Sequence, residues 1–185
     1  MPITGEGWEL YVVRRAVQRR PASGRRRTVG RYQVYHDGVA QSGTYLKGTT
    51  AETKGPGANK PADNGKRIEE GRYSLWTQEP GRYATWDYSG SQSVSASPRP
   101  GIELKGTGER YEILVHPGLN TFLSSVGCIN LCTHLPNANE RITYVTSRKR
   151  VIALIEDMKS YLREDFPKRN GKRIPRSFAV VDGEP

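Results

Sequence analysis

Only one segment of the chain carries a long helical pattern, and this limits the choice of fold more than any other feature. Between residues 147 and 163, apolar side chains recur at helical spacing. They are Val151, Ile152, Leu154, Ile155, Met158, Tyr161 and Leu162. The pattern predicts a helix over about 147–163, capped by Ser147 or Thr146. The remaining residues include 20 Gly and 12 Pro, and 10 Tyr outnumber Phe and Trp together. That balance favours short strands joined by turns.

The rest of the sequence therefore indicates a mainly β (α+β) fold in a single domain, residues 1–185. Strands are predicted over 8–13, 29–36, 73–77, 101–104, 111–116 and 177–181. A short helix is predicted over 128–135, ending before Pro136. Residues 47–67 and 78–100 are long polar stretches that we interpret as loops. The predicted core includes Trp8, Val13, Val34, Ile113, Val115, Ile152 and Ile155.

The chain is strongly basic, with 29 Lys and Arg against 19 Asp and Glu, a net charge of +10. Such a charge attracts polyanions such as nucleic acid, anionic lipid or cell-wall polymers. Seven arginines fall in the first hairpin, at 14, 15, 19, 20, 25, 26 and 27. They either bind a polyanion or lie in a solvated loop and at strand edges, where their charges prevent pairing with other strands. One hypothesis is thus a non-enzymatic binding module, which would use these arginines and the aromatic residues Tyr83, Trp86 and Tyr88.

A second hypothesis comes from the segment ILVHPGLNTFLSSVGCINLC, residues 113–132, which holds His116 and both cysteines. A thiol nucleophile needs a nearby base, and His116 ends an apolar strand that would hold its ring. Gly127 lets the chain turn before Cys128, and a helix starting there would favour the thiolate and an oxyanion. Three alternatives stay open: buried, inert cysteines; a zinc site; or a disulfide between the two cysteines. The zinc ligands would be His116, Cys128, Cys132 and His134.

His-(loop)-Ser-x-Gly-Cys-Ile-Asn resembles the active-site signature of L,D-transpeptidase catalytic domains, the cysteine enzymes of peptidoglycan cross-linking. A smaller related family, from phages and secretion-associated loci, shares the His-Pro-Gly, loop, Gly-Cys-Ile arrangement. The step from Ile68 to Tyr73 is similar to an upstream family motif. The resemblance implies a β-sandwich or barrel, with a catalytic core over 8–135 and a C-terminal helix and tail over 136–185. It implies catalytic roles for Cys128, His116, Ser125 and Gly127. Substrate contacts are expected from Asn130, Tyr73, Arg72 and His134.

The resemblance also implies the reaction: Cys128 forms a thioester with a peptidoglycan stem peptide, without a metal or cofactor. The loop after His116 is shorter than usual, and Val126 stands where many members have a second histidine. Hydrolysis and transpeptidation therefore both stay open. We see no signal peptide or membrane-spanning stretch. We therefore expect synthesis in the cytoplasm, no membrane insertion, and action in the periplasm or cell wall after delivery by a phage or secretion machinery. A secreted antibacterial effector of this kind would have an immunity protein as a partner.

Overall fold

The computed structural model describes residues 2–185, which form eleven strands and one α-helix. The first strands are β1 (Trp8–Arg19), β2 (Arg26–His36), β3 (Val39–Ala40), β4 (Lys47–Glu52) and β5 (Gly71–Thr77). Next come β6 (Tyr83–Ala84), β7 (Arg99–Pro100), β8 (Ile102–Lys105), β9 (Ile113–Pro117) and β10 (Ile129–Cys132). The helix α1 (Tyr144–Leu162) is followed by a 3-10 turn (Arg163–Asp165) and by β11 (Arg173–Asp182).

Eight strands close into a barrel. The order is β1-β11-β5-β8-β9-β10-β4-β2, and β2 pairs with β1 to complete the ring. The short β3 extends the sheet from β2, whereas β6 and β7 form a separate small pair. Closure leaves the eight strands without the unpaired edges of an open sheet. Since β11 lies between β1 and β5, the C-terminal segment is part of the barrel wall rather than an appended tail.

Alternate residues of the strands point into the barrel and build its core. Trp8, Leu10 and Val12 of β1 are fully buried, and so is Val34 of β2. The apolar face of α1 packs on the same core, through Val151, Leu154, Ile155 and Met158. The mainly β prediction and the single main helix near the C-terminus are therefore confirmed.

Several details of the sequence prediction are wrong. Residues 129–132 form the strand β10 rather than a helix, because they hydrogen-bond between β9 and β4. The helix begins at Tyr144, so neither Thr146 nor Ser147 caps it. Thr143 is the N-cap residue and its side chain makes no capping bond; Asn120, from the loop after β9, accepts the Tyr144 N–H on its Oδ1 at 2.7 Å. Lys47–Glu52, assigned to a loop, form β4.

Val13 and Ile152, two residues of the predicted core, are only partly buried. The other five predicted core residues are buried. Val13 belongs to the outward-facing set of β1, whose inward-facing set consists of the even-numbered residues Trp8, Leu10 and Val12.

The seven arginines of the first hairpin differ in burial. Arg14 and Arg27 are buried, Arg20 is partly buried, and 15, 19, 25 and 26 are exposed. The Arg14 guanidinium donates to both carboxylate oxygens of Glu52, at 2.9 and 2.7 Å. It also lies 3.3 Å from Glu184 of the C-terminal tail, which Arg67 contacts at 2.6 Å. These buried charges thus hold β1, β4 and the C-terminal tail together, a role that the overall charge did not indicate.

Candidate active site

Two neighbouring parallel strands bring the predicted nucleophile and base together. Strands β9 and β10 pair with Ile129 opposite Val115 and Asn130 opposite His116. Cys128, one residue before β10, is therefore level with Leu114, and its Sγ accepts the Leu114 N–H at 3.3 Å. Since side chains alternate along a strand, Cys128 and His116 lie on the same face of the sheet, as diagonal neighbours about 7–8 Å apart at Cα. Val115, which lies between them in register, points into the barrel core, as does Ile113.

Cys128 and His116 line one cleft on the outer face of the barrel. The cleft has a volume of about 570 Å³. One wall carries Ser124, Ser125 and Val126 from the loop before Cys128. The opposite wall is the segment from Gln78 to Tyr83, and residues 110–112 complete the rim. This is a pocket of the size that holds a short peptide segment or a drug-sized molecule.

His116 is held in one orientation at the floor of the cleft, where it is 3% exposed. Its Nδ1 lies 2.8 Å from the Pro117 carbonyl oxygen. A carbonyl only accepts, so Nδ1 carries the proton of the neutral ring and Nε2 keeps its lone pair. Burial lowers the pKa of His116 to about 4, and the charges of Arg99 and Arg82 act in the same direction. The imidazole is thus neutral at pH 7, as a general base must be.

Two further side chains fix the His116 ring. The Asn130 amide nitrogen donates to the His116 carbonyl oxygen at 3.3 Å and lies 3.4 Å from each ring nitrogen. Ser124 Oγ donates to Asn130 Oδ1 at 3.3 Å, which sets the orientation of the amide. The Tyr83 ring packs on His116 with centroids 4.5 Å apart and planes inclined by 43°. The sequence analysis grouped Tyr83 with Trp86 and Tyr88 as a possible binding surface and did not assign it to this site, because the loop pattern gives no signal of where each ring packs.

The Cys128 thiol is partly exposed, and two backbone groups lie within hydrogen-bond distance of its sulfur. Its Sγ lies 3.5 Å from the Glu112 carbonyl oxygen in addition to the Leu114 amide. Burial raises the pKa of the thiol to about 11, against the lowering effects of the Leu114 N–H and the Arg110 charge. No helix begins at Cys128, so the predicted helix dipole is missing. The thiol and imidazole are therefore both neutral at pH 7 in the free protein.

The turn before Cys128 is built by Ser125 and Gly127. Ser125 Oγ donates to the Cys128 carbonyl oxygen and accepts the Gly127 N–H at 3.1 Å. Ser125 therefore shapes this turn and does not contact His116. Because the Gly127 N–H already has this partner, it is not free to hold an oxyanion. Gly127 has φ of 150°, and a Cβ there would lie 1.9 Å from Arg110 Nη2.

Arg110 is a site residue that no sequence motif predicted. It is 8% exposed, and its Nη2 donates to the Val126 carbonyl at 2.8 Å while Nη1 donates to the Lys66 carbonyl at 2.7 Å. It links the two loops at this end of the cleft, and its charge favours the thiolate of Cys128. Burial lowers the pKa of Arg110 itself.

The loop from Gly118 to Gly127 is fastened to the rest of the molecule at several points. The buried Arg27 guanidinium donates to the carbonyl oxygens of Phe122, Glu140 and Asn137 at 2.8–2.9 Å. Ser147, inside α1, accepts the Gly118 N–H at 2.9 Å and donates to the Leu131 carbonyl. One helix side chain thus links the ends of both strands that carry the site.

The four predicted substrate-contacting residues lie outside the lining of this cleft. Asn130 is fully buried beneath His116. Tyr73 is 3% exposed, and its hydroxyl donates to the Glu69 carbonyl at 2.6 Å. Arg72 lines a different depression, where it pairs with Glu9 at 2.5 Å. His134 lines a third depression, on the outer face of β1, β2 and β4. The structure therefore groups Ser125 with Cys128 and His116, and places these four residues elsewhere.

The zinc and disulfide alternatives lack the required geometry. Among residues 2–185, no group of three or more His, Cys, Asp or Glu side chains is placed to hold a metal ion. Cys132 is buried in a separate apolar cluster with Phe122 and Ile142, and its Sγ donates to the Thr49 carbonyl at 3.4 Å. Both cysteines are free thiols.

Comparisons of the chain with protein-family models, with curated proteins and with solved structures found no match. In the described part of the chain, none of the helices combines the length and the apolar character needed to cross a membrane.

Proposed function

We propose that the protein is a cysteine-dependent acyl-transfer or hydrolytic enzyme that acts on peptidoglycan stem peptides. The observation that carries the proposal is the register of β9 and β10, which places Cys128 and a neutral, oriented His116 on one face of a single cleft. The peptide substrate class rests on the resemblance to L,D-transpeptidase catalytic domains. Delivery to the periplasm or cell wall by a phage or secretion machinery belongs to the same proposal.

The first step transfers an acyl group to Cys128. Its Sγ attacks the carbonyl carbon of the stem peptide, while Nε2 of His116 accepts the thiol proton, directly or through one water. The tetrahedral intermediate then expels the leaving amine, which takes the proton from His116. The products of this half-reaction are the thioester on Cys128, the free amine and a neutral imidazole.

The neutral thiol and imidazole determine how the nucleophile is activated. With a thiol pKa of about 11, about one molecule in 10,000 holds the thiolate at pH 7. The proton therefore moves during attack rather than in a preformed thiolate–imidazolium pair. Arg110 favours the negative charge as it develops on sulfur, since its charge already acts on this thiol.

The second step resolves the thioester, and the acceptor decides the reaction type. Water attacking the carbonyl, with His116 as base, releases the shortened stem peptide as a carboxylic acid. An amine from a second stem peptide or a free amino acid gives a new amide bond, with the thiol regenerated in both cases.

The experiment is to incubate the protein with purified muropeptides carrying tetrapeptide stems and to follow the masses of both muropeptide and protein. Wild type should shorten or exchange the terminal stem residue and should show an acyl adduct after an acid quench. Cys128→Ala should do neither. Cys132→Ala is the matched control, because it removes the other thiol from a cluster outside the cleft, and it should keep the activity.

The variant His116→Asn tests the proposed base alone, because it leaves the nucleophile Cys128 in place. The asparagine amide can donate to the Pro117 carbonyl as Nδ1 does, but it has no basic nitrogen to accept the thiol proton. We expect the rate of acylation to fall by about 10²–10⁴-fold. A wild-type protein that leaves every muropeptide unchanged and carries no adduct would refute the proposed function, and so would full activity in Cys128→Ala.

A further inference from the structure

A second depression, independent of the cysteine cleft, lies on the outer face of β1, β2 and β4. Its volume is about 500 Å³, and no residue of its lining also lines the cleft with Cys128. The lining combines basic, tyrosine and small polar side chains. It consists of Tyr11, Val13, Arg15, Arg31, Tyr32, Gln33, Tyr35, Lys47, Gly48, Thr49 and His134.

The strand register arranges these side chains in rows across the three strands. Val13 lies opposite Arg31, which lies opposite Thr49, and Gln33 lies opposite Lys47. Arg31 and Lys47 are thus diagonal neighbours, about 7–8 Å apart at Cα. The β1–β2 pairing shifts register between Arg14 and Ala16. This irregularity leaves Arg15 without a register partner beside the same depression.

Three cations in the depression have no internal partner. Arg15, Arg31 and Lys47 are exposed, and within residues 2–185 the side chain of none of them forms a hydrogen bond or ion pair. The contrast with the buried Arg14 and Arg27 is sharp, since those two guanidinium groups are fully engaged inside the protein. The three free charges are therefore available to an external anion.

Tyrosine rings lie at one end of the depression, where Tyr11 is in the same row as Gln33 and Lys47. Tyr11 and Tyr35 are partly exposed, and their rings meet edge-to-face with centroids 6.4 Å apart. The Tyr32 hydroxyl donates to the Tyr45 carbonyl, so that ring is fixed in the wall. Gly48 leaves room between Tyr32 and Arg150, because a Cβ there would lie 2.6 Å from Arg150 Nη1.

We propose that this depression binds single-stranded nucleic acid. Proteins bind such strands without sequence preference by combining cations that follow the phosphates with aromatic rings that stack on the bases. Duplex nucleic acid keeps its base faces stacked inside the helix, so the tyrosines of the depression would contact none of them. A phosphate polymer without bases would use the cations and leave the rings unused. The site is distinct from the arginine-rich hairpin tip, and it does not depend on the chemistry of Cys128.

The test is fluorescence anisotropy with an end-labelled 12-nucleotide oligothymidylate, titrated with the full chain at several salt concentrations. The double variant Arg31→Ala with Lys47→Ala should bind at least tenfold more weakly. The slope of log affinity against log salt should become shallower by about 1.4, at about 0.7 for each lost phosphate contact. The matched control is Lys60→Ala with Lys168→Ala, which removes the same charge from exposed positions outside the depression. That control should stay within about twofold of wild type.

A second variant tests the rings. Tyr35→Ala should weaken binding of the labelled strand by about fivefold or more, with the salt slope unchanged, because a stacked base contributes through its ring face. Far-UV circular dichroism confirms the fold of each variant. The proposal is overturned if the control pair loses as much affinity as Arg31 and Lys47, or if a duplex binds as tightly as the single strand. It is equally overturned if inorganic polyphosphate competes fully while Tyr35→Ala binds like wild type.

Cys128→Ala separates this inference from the proposed enzyme activity. It should bind the oligonucleotide like wild type, and the depression variants should still form the acyl adduct on Cys128. If wild type forms no acyl adduct, the proposed enzyme activity is refuted and the nucleic-acid site is unaffected. If wild type forms the adduct but does not bind the oligonucleotide at this depression, the nucleic-acid site is refuted and the enzyme activity is unaffected.

Discussion

The buried His116 should make the protein sensitive to acid in a narrow and calculable range. Its pKa is about 4 in the folded protein, against 6.5 for an ordinary histidine. Above pH 6.5 the ring is neutral in both the folded and the unfolded protein, so its burial does not change the free energy of unfolding with pH. As the pH falls from 6.5 towards 4, His116 becomes protonated in the unfolded chain but stays neutral in the folded protein, so unfolding becomes more favourable. The difference of 2.5 in pKa, at about 1.4 kcal/mol for each unit, comes to about 3.5 kcal/mol in full. About 3 kcal/mol of it is lost at pH 4, where the folded ring is itself half protonated.

The assay is urea denaturation of wild type and His116→Asn between pH 7.5 and pH 4. Other titrating groups are common to both proteins, so they cancel in the difference between the two free energies of unfolding. Wild type should lose about 3 kcal/mol relative to the variant over this range, with most of the change below pH 6. A difference that stays constant from pH 7.5 to pH 4 would show that His116 is solvated or charged in the folded protein. The argument for a neutral general base would then fail.

Three further predictions follow from the surroundings of the site. Alkylation of Cys128 by iodoacetamide, measured by peptide mass, should be slow at pH 7 in the free protein. Its rate should rise about tenfold for each pH unit towards 11. A rate that is already maximal at pH 7 would contradict the neutral thiol. Arg27→Met should lower the free energy of unfolding by about 3 kcal/mol or more, because three carbonyl oxygens lose their donor; an unchanged urea midpoint would contradict this. Gly127→Ala should cost about 1–3 kcal/mol, since its methyl carbon overlaps the Arg110 guanidinium; thermal melting decides, and Ala16→Gly on the exposed strand surface is the control.

The sequence predicted the parts of the site that depend on local order along the chain. His116 ends an apolar strand, and the loop before Cys128 does turn back to bring the two residues to one cleft. The long helix was visible because its apolar face repeats over several turns. These features are set by neighbours within a few residues, which is the range over which a single sequence is informative.

The errors came from contacts between distant segments. The run Ile129–Cys132 is too short for its periodicity to separate a strand from a helix, and its pairing with β4 and β9 decides the outcome. Arg27 stands among other arginines and has no local sign of burial, yet it donates to carbonyls about 100 residues away. Asn130 was assigned to substrate because of the motif, whereas its position in β10 places it beneath His116. None of these roles is encoded in local sequence patterns.

The two walls of the cysteine cleft are fastened very differently. In the wall that precedes Cys128, Arg27 donates to the Phe122 carbonyl oxygen, and Asn120 accepts a hydrogen bond from the first turn of α1. On the opposite wall, residues 79–82 are all exposed, and their backbone accepts two hydrogen bonds, from the Arg99 N–H to the Arg82 carbonyl and from Ser97 Oγ to the Gly81 carbonyl at 3.5 Å. For the proposed enzyme, we therefore expect a bulky peptide substrate to displace residues 79–82 while Cys128 keeps its position. On this proposal, the wall that carries Cys128 stays in place, and the space that residues 79–82 can open sets the largest substrate that the cleft admits.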